Sequence, residues 1–449
     1  MGASRNVALL CAAAAAAFLV AGVAQPRGVT VIDEVDYLTE AQALAAGADL
    51  RDRRSYLPRN GGAAWVGPRY PLGWPLLRAP FVLASKRPAV AARAPVEVAP
   101  TRVAPPGTDS GLQPPGEWPL GRAPFLANLL LHLLGAAVLA HVLRRRGLSR
   151  RWALLYLLQP TLLVFSGTLM AEPLAALHTA LLLAVACEEQ PLLLGFVAGL
   201  APWLKLSQVI VCAPFVLVRC LRAPARLRAL SLAAAGAALP LLAFVAVDLW
   251  LYVSPLGPGQ PGYAGPLAAA GWGALELGQL AVAWPLLPLA ALAARREEWV
   301  AAAACVIFFA SYDSARYDGT SLAATLVIGA RLLAPAIVLL LPGYAALLSR
   351  LPRRAGQAAF AALLAASVAL PLLVFPALSR RRVQLAAIRE ALLSSLRPGC
   401  AYVYQQDEVR KLLVPWPPDA PLFSIADPRP ASGCVLPLEH GEVSTNVRR

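Results

Sequence analysis

VALLCAAAAAAFLVAGVA, residues 7–24, is an apolar run, and shortly after it the chain reads Asp33-Glu34-Val35-Asp36-Tyr37. A run of that kind ends at a membrane surface, so the three carboxylates follow it there. Acidic clusters at the mouth of a multi-span bundle are costly unless they bind a cation or move a proton. The rest of the chain decides whether there is such a bundle. Of the 449 residues, 58% are hydrophobic and 14% charged, and mean hydropathy is +0.60. A soluble protein of this length cannot hide so much apolar surface, which makes a polytopic membrane protein close to forced.

The net charge of +15 is nearly all arginine, with Lys only at 86, 205 and 411. Abundant Ala, Arg and Pro point to a high-GC genome, and no basic patch with interleaved aromatics is present, so nucleic acid is excluded as a partner. Cys11, Cys187, Cys212, Cys220 and Cys305 lie in or beside apolar spans and read as small core residues. Cys400 and Cys434 lie in a polar C-terminal segment and can pair if that segment is extracytoplasmic. No Cys or His spacing suggests zinc.

Arg5, the first apolar run and Gly22-Val23-Ala24 before Gln25 also fit a secretory signal with a small-residue cleavage site. Retention as a first span is favoured, because further spans follow and a short first helix can act as a signal anchor. Residues 25–122 are polar, rich in Pro and Gly, and too broken to span. Within them, Tyr37, Leu38, Ala41, Leu44 and Ala45 have helical spacing, and 36–50 reads as an amphipathic helix on the membrane surface. Residues 70–85 read as a second interfacial element with Tyr70 and Trp74 as anchors. A Pro-rich linker, 86–122, leads into WPLGRAPF at 118–125, an echo of WPLLRAPF at 74–81. Duplication and biased composition explain that echo equally well.

Further spans are expected at roughly 125–143, 152–169, 173–187, 191–204, 206–218, 230–250, 275–293, 299–311, 324–348 and 357–376. The basic loops around Arg144–Arg151, Arg219–Arg228, Arg295-Arg296 and Arg350–Arg354 then fall on the side of Arg5, which the positive-inside rule makes cytoplasmic. Arg380-Arg381-Arg382, after the last span, is an exception. The expected fold is an all-α polytopic membrane protein of about eleven transmembrane helices. Residues 1–376 form its membrane domain, with 25–122 as a large first extracytoplasmic loop, and 377–449 form a small C-terminal extracytoplasmic segment, read from its prolines as strands and loops.

Five places can carry chemistry. Asp33, Glu34 and Asp36 can supply a general base, with or without a divalent cation, or merely an acidic start to a helix. Glu172, in Ser166-Gly167-Thr168-Leu169-Met170-Ala171-Glu172-Pro173, is a second carboxylate for a cation or acceptor, or simply the residue before a proline in a first helical turn. His178 reads as a packed interior histidine. Lys205 can hold a lipid-linked phosphate or snorkel to headgroups. Arg331 is expensive inside hydrocarbon and faces a polar cavity; Arg316 lies in the loop before it, with Asp313 and Asp318 as partners for either arginine. No Gly-rich phosphate loop, HExxH, GxSxG or Cys/His dyad appears, which argues against a soluble nucleotide site.

Taken in order, these segments resemble the GT-C membrane glycosyltransferases, in the branch of the protein O-mannosyltransferases and the aminoarabinose transferase of lipid A. Asp33-Glu34-Val35-Asp36-Tyr37 resembles their acidic motif in the first outside loop, and Tyr70-Pro71-Leu72-Gly73-Trp74-Pro75 their Tyr-Pro segment. Ala171-Glu172-Pro173, Gly199 to Lys205 and Gly329 to Pro335 resemble later motifs, and the likeness covers roughly 7–350. The linker at 86–122 and the short, Ala-rich spans depart from the pattern.

The resemblance implies a polyprenyl-phosphate-sugar donor, a glycan, lipid or protein acceptor, and a single inverting displacement in a bacterial inner membrane with the site facing outside. Asp33 or Glu34 is then the base. Glu172, with Asp36, binds acceptor or cation, and Lys205, Arg331 and Arg316 hold the donor phosphate. A divalent cation (Mg or Mn), on Asp33 and Glu172, is the one cofactor it leaves open. The competing reading is a secondary transporter or flippase, which predicts repeat symmetry between halves and no large first loop. A third is an assembly protein without chemistry, which leaves Lys205 and Arg331 unexplained.

Overall fold

The computed structural model describes residues 33–45, 71–84, 123–251, 277–281, 287–310, 327–394, 400–404, 422–424 and 434–438. Helix α1 (Asp33–Ala45) and α2 (Gly73–Leu83) pack on each other beside a helical bundle. The bundle follows as α3 (Ala123–Arg145), α4 (Ala153–Leu157), α5 (Pro160–Ser166), α6 (Glu172–Cys187), α7 (Pro191–Gly199), α8 (Ala201–Leu204), α9 (Gln208–Leu221), α10 (Arg226–Leu251), α11 (Arg296–Ala310), α12 (Ala334–Arg350) and α13 (Arg353–Ser394). Short 3-10 turns at Leu287–Leu292 and Ala330–Leu333 join them. Among the described residues four helices are long and apolar enough to cross a membrane: Ala123–Arg145, Arg226–Trp250, Val327–Arg350 and Arg354–Arg380. The expected first span and part of the expected eighth lie outside the described residues.

Proline sets many of the helix starts. Pro160, Pro173, Pro191, Pro202 and Pro335 each sit in a first turn, where a missing N–H costs nothing and a fixed φ favours the helix. The same preference corrects one expected span. Residues 152–169 are not a single helix: the chain breaks between α4 and α5, because Pro160 cannot donate to the preceding turn. Gln159 turns extended and its Oε1 accepts from Leu162 N–H at 2.6 Å. His132 of α3 lies with Nε2 2.8 Å from the Leu157 carbonyl left over at the break. Non-helical backbone at membrane depth survives only where protein satisfies it in this way. The expected 191–204 span is likewise split at Leu200, into α7 and α8.

The core runs through α3, α4, α6, α9, α11 and α12, with Tyr156, Leu139, Phe215, Ile337 and Leu339 fully buried. Helices α7 and α10 cross so closely that a Cβ on Gly236 would stand 1.9 Å from the Leu192 carbonyl oxygen. Small residues permit this kind of helix contact in an apolar solvent. His178 is buried with Nε2 2.7 Å from Val197 O, the packed histidine expected.

One end of the bundle is tied by ion pairs. Arg146 bonds the buried Glu298, Arg222 meets Glu297 at 3.0 Å, and Arg145 meets Glu188 at 2.8 Å. Arg219 reaches Glu189 at 3.4 Å and Glu297 at 3.9 Å. These contacts bring three of the four basic loops to a common end, as the span count requires. Glu172 and Lys205 sit at the far ends of the helices that leave it.

Helix α13 runs past residue 376, through Arg380-Arg381-Arg382, to Ser394. Beyond it, β1 (Cys400–Tyr404), β2 (Leu422–Ser424) and β3 (Cys434–Leu438) form a parallel sheet in the order β2-β1-β3. Strands were expected in this segment; the long helical approach to them was not.

Candidate active site at one end of the bundle

The turn between α5 and α6, Gly167 to Ala171, organises the site, and three helices hold it. Glu34 of α1 is fully buried, and its Oε1 accepts from Leu169 N–H at 2.8 Å. Trp74 of α2 donates its indole N–H to Leu169 O at 3.2 Å. Asn128 of α3 donates from Nδ2 to Thr168 O at 2.7 Å and Met170 O at 2.8 Å. Thr168 adds an internal brace, its hydroxyl donating to Phe165 O and accepting from Met170 N–H. A peptide turn buried in an apolar bundle needs such partners, since each unpaired group would cost about 1–3 kcal/mol.

The turn delivers Glu172 to the first turn of α6, where a carboxylate favours the helix dipole. Its Oε1 lies 3.2 Å from Lys205 Nζ, while Oε2 is buried without a hydrogen-bond partner among the described residues. Lys205 is held by the α8 turn: its N–H bonds Ala201 O, its backbone turns extended, and neighbouring Trp203 donates its indole N–H to Pro240 O. Gln208, next along, donates from Nε2 to Ala175 O at 2.7 Å and leaves Oε1 without a partner among the described residues. Helix α2 closes on this corner: a Cβ on Gly73 would lie 2.3 Å from Trp203 O.

Arg78 is the residue that sequence reasoning missed. It is fully buried on α2, its guanidinium carbon 4.0 Å from the centre of the Trp74 ring, and among the described residues none of its nitrogens has a hydrogen-bond partner. Burial pulls its pKa down to about 9, and the charges of Glu34 and then Tyr37 hold it from falling further. The signal is present as a charged residue inside the apolar run Trp74-Pro75-Leu76-Leu77-Arg78-Ala79-Pro80-Phe81, which the sequence offers as an interfacial element and as half of an echo. Asn128, a lone amide in an apolar span, was equally visible.

Two interfacial readings change. Trp74 is not a membrane anchor; it is fully buried in the protein. The apolar stripe of α1 faces protein as well: Leu38 and Ala41 pack with Val82 and Leu169. Tyr70 and Arg316 lie outside the described residues, as do the side chains of Asp33 and Asp36. Asp33 itself begins α1.

Arg331 is half-buried in the 3-10 turn after Val327 and Ile328. Those two residues share one hydrophobic cluster with Tyr37, Trp74, Met170 and Ala171, and Leu204 packs against it. The segments holding the acidic motif, the Tyr-Pro motif, the Glu-Pro turn, the lysine turn and the Arg331 turn therefore meet at one place. Among the described residues no group of three His, Cys, Asp or Glu is placed to hold a metal ion.

No protein-family model and no curated sequence matches the chain. Its fold does match. Two crystal structures of ArnT from Cupriavidus metallidurans, one bound to undecaprenyl phosphate and one in the apo state, superpose with TM-scores of 0.57 and 0.58 at 16% identity, over 95% of this chain and 87% of theirs. At that identity the likeness is one of fold, and it spans all five motif-bearing segments: this chain has the fold of ArnT.

Proposed function

We propose that the chain is an integral-membrane glycosyltransferase that moves a sugar from a polyprenyl-phosphate-linked donor to an acceptor hydroxyl on a glycan, lipid or protein. The observation that carries this reading is the meeting of five sequence-distant motifs around Glu172 and Lys205, in a chain with the fold of ArnT. One of the ArnT structures holds undecaprenyl phosphate, which supports a donor of that class.

In the proposed reaction Asp33 takes the proton of the acceptor hydroxyl as its oxygen attacks the anomeric carbon. The bond from that carbon to the phosphate oxygen breaks, polyprenyl phosphate leaves, and the configuration inverts. Lys205, with Arg331 and Arg316, neutralises the phosphate as charge builds on it. Lys205 is shared with Glu172, so a phosphate has to displace or bridge that carboxylate, and Glu172 is then freed toward the acceptor. Glu172 with a lysine beside it is a poor divalent-cation site by itself, and no step here is routed through a metal. The site faces out of the cytoplasm, opposite the ion-paired end that carries the basic loops.

Membranes containing the wild-type chain should transfer sugar from a labelled polyprenyl-phosphate donor, and Asp33→Asn should reduce transfer by about 10²-fold or more at unchanged protein level. Movement of the intact donor across the bilayer without transfer would replace this reading with that of a flippase.

A further inference from the structure

The two adjacent carboxylates of the acidic motif do different work. We infer, on the reading above, that Glu34 is a positioning residue rather than the base, with Arg78 as its buried counter-charge. Glu34 is closed off from solvent, and its Oε1 is engaged by Leu169 N–H. A base has to reach the acceptor's proton; a carboxylate held in this way instead fixes the backbone three residues before Glu172. Trp74 holds the carbonyl of the same Leu169, and Arg78 lies over the face of that indole. Glu34, Trp74 and Arg78 thus form one unit spanning α1 and α2, and its target is a single residue of the turn, Leu169, held at both its N–H and its carbonyl. Among the described residues Arg78 makes no hydrogen bond, and the Trp74 face and the negative charge of Glu34 stabilise a cation in this place. The charge therefore serves Arg78, and the oxygen serves Leu169.

These two functions separate in variants. Glu34→Gln keeps an acceptor oxygen and loses the charge; Glu34→Ala loses both. Transfer in Glu34→Gln should stay within about 10-fold of wild type, and Glu34→Ala should fall well below it, while Asp33→Asn loses about 10²-fold or more. Loss of transfer in Glu34→Gln equal to that in Asp33→Asn, at equal protein level, would overturn the assignment. The counter-charge is tested without any activity. Glu34→Gln should lower the midpoint of thermal unfolding in detergent, and adding Arg78→Met should restore part of it. A double variant whose midpoint falls by the sum of the single effects refutes the pairing. If the wild-type chain transfers no sugar, the glycosyltransferase reading fails while the thermal experiment still decides the Glu34–Arg78 unit.

A second inference rests on the C-terminal sheet alone. Strands β1 and β3 pair in parallel with Cys400 opposite Cys434. Neighbouring strands lie about 4.7–4.9 Å apart, inside the Cα separation of about 4.4–6.8 Å that a disulfide spans. We infer that Cys400 and Cys434 are oxidised to a disulfide outside the cytoplasm. The two thiols give two electrons and two protons to a thiol–disulfide oxidant, whose own disulfide becomes a dithiol. Denatured wild-type protein from membranes should take up two more maleimide–polyethylene glycol labels after reduction than before. Cys400→Ser should show no such gain. Equal labelling of the wild-type chain with and without reductant would rule the bond out.

Discussion

The Glu172–Lys205 pair is asymmetric, and the asymmetry has a measurable consequence. The Glu172 side chain is 2% exposed and that of Lys205 is 23% exposed, at 3.2 Å. Breaking a buried ion pair from one side costs about 3–5 kcal/mol, because the remaining charge is stranded. Breaking an exposed pair costs at most about 1 kcal/mol. Lys205→Met leaves the buried carboxylate behind, so its cost belongs near the lower bound of the first range, about 3 kcal/mol. Glu172→Gln leaves an ammonium that can turn toward water, so its cost belongs with the second, about 1 kcal/mol. The double variant removes both charges and should be more stable than Lys205→Met alone. Thermal unfolding of the four purified proteins in one detergent at one pH reads this directly, with the Lys205→Met shift at least about twice that of Glu172→Gln. Equal shifts in the two single variants, or strict additivity in the double, would refute the argument that the carboxylate is the buried partner.

Other positions give shorter tests. Asn128→Leu removes the donor to Thr168 and Met170 carbonyls and should cost about 2–4 kcal/mol with a loss of transfer larger than destabilisation explains; normal transfer would show that the turn holds itself. Gly73→Ala puts a carbon where the Trp203 carbonyl stands, so α2 must move away from the lysine turn and transfer should drop, whereas an unchanged donor KM and kcat would dissociate α2 from the site. Glu298→Gln strands Arg146 at the ion-paired end and should destabilise by about 3 kcal/mol while leaving the donor KM alone; a changed KM would tie that end to the site.

Much of the bundle was legible because its signals are local. Apolar length marked the spans, and two of them were expected to begin at Pro173 and Pro191, where helices do start; Pro160, Pro202 and Pro335 start helices inside spans that were read as continuous. Glu172 and Lys205 were visible as charges in apolar surroundings, and their common end followed from counting spans. Their contact was not legible, because it depends on how α6 and the α8 turn pack. The break at Gln159-Pro160 was written in the sequence but overridden by continuous hydropathy on both sides. Arg78 and Asn128 escaped for a different reason: their partners are an indole face and backbone carbonyls, which leave no complementary residue type elsewhere in the chain. Glu297 and Glu298 follow Arg295-Arg296 directly, and only the fold carries each to another loop's arginine.

The two ends of the bundle handle charge in opposite ways, and that difference bears on which end does chemistry. At one end, Glu188, Glu189, Glu297 and Glu298 each meet an arginine from a different helix connection. Such pairs bind the connections together and leave little for a ligand to satisfy. At the other end, among the described residues, Glu172 Oε2, Gln208 Oε1 and all three Arg78 nitrogens are buried with no hydrogen-bond partner, against Arg146 Nε alone among the ion-paired side chains of the first. Buried polar groups of that kind are costly, and native proteins keep them chiefly where something else completes them or where the strain serves a site. The clamps from Glu34, Trp74 and Asn128 are concentrated at this same end, holding its backbone while its side chains stay unmatched. A rigid frame around under-satisfied polar groups suits a reaction that builds charge on a departing phosphate, since the groups need not reorganise when that charge appears.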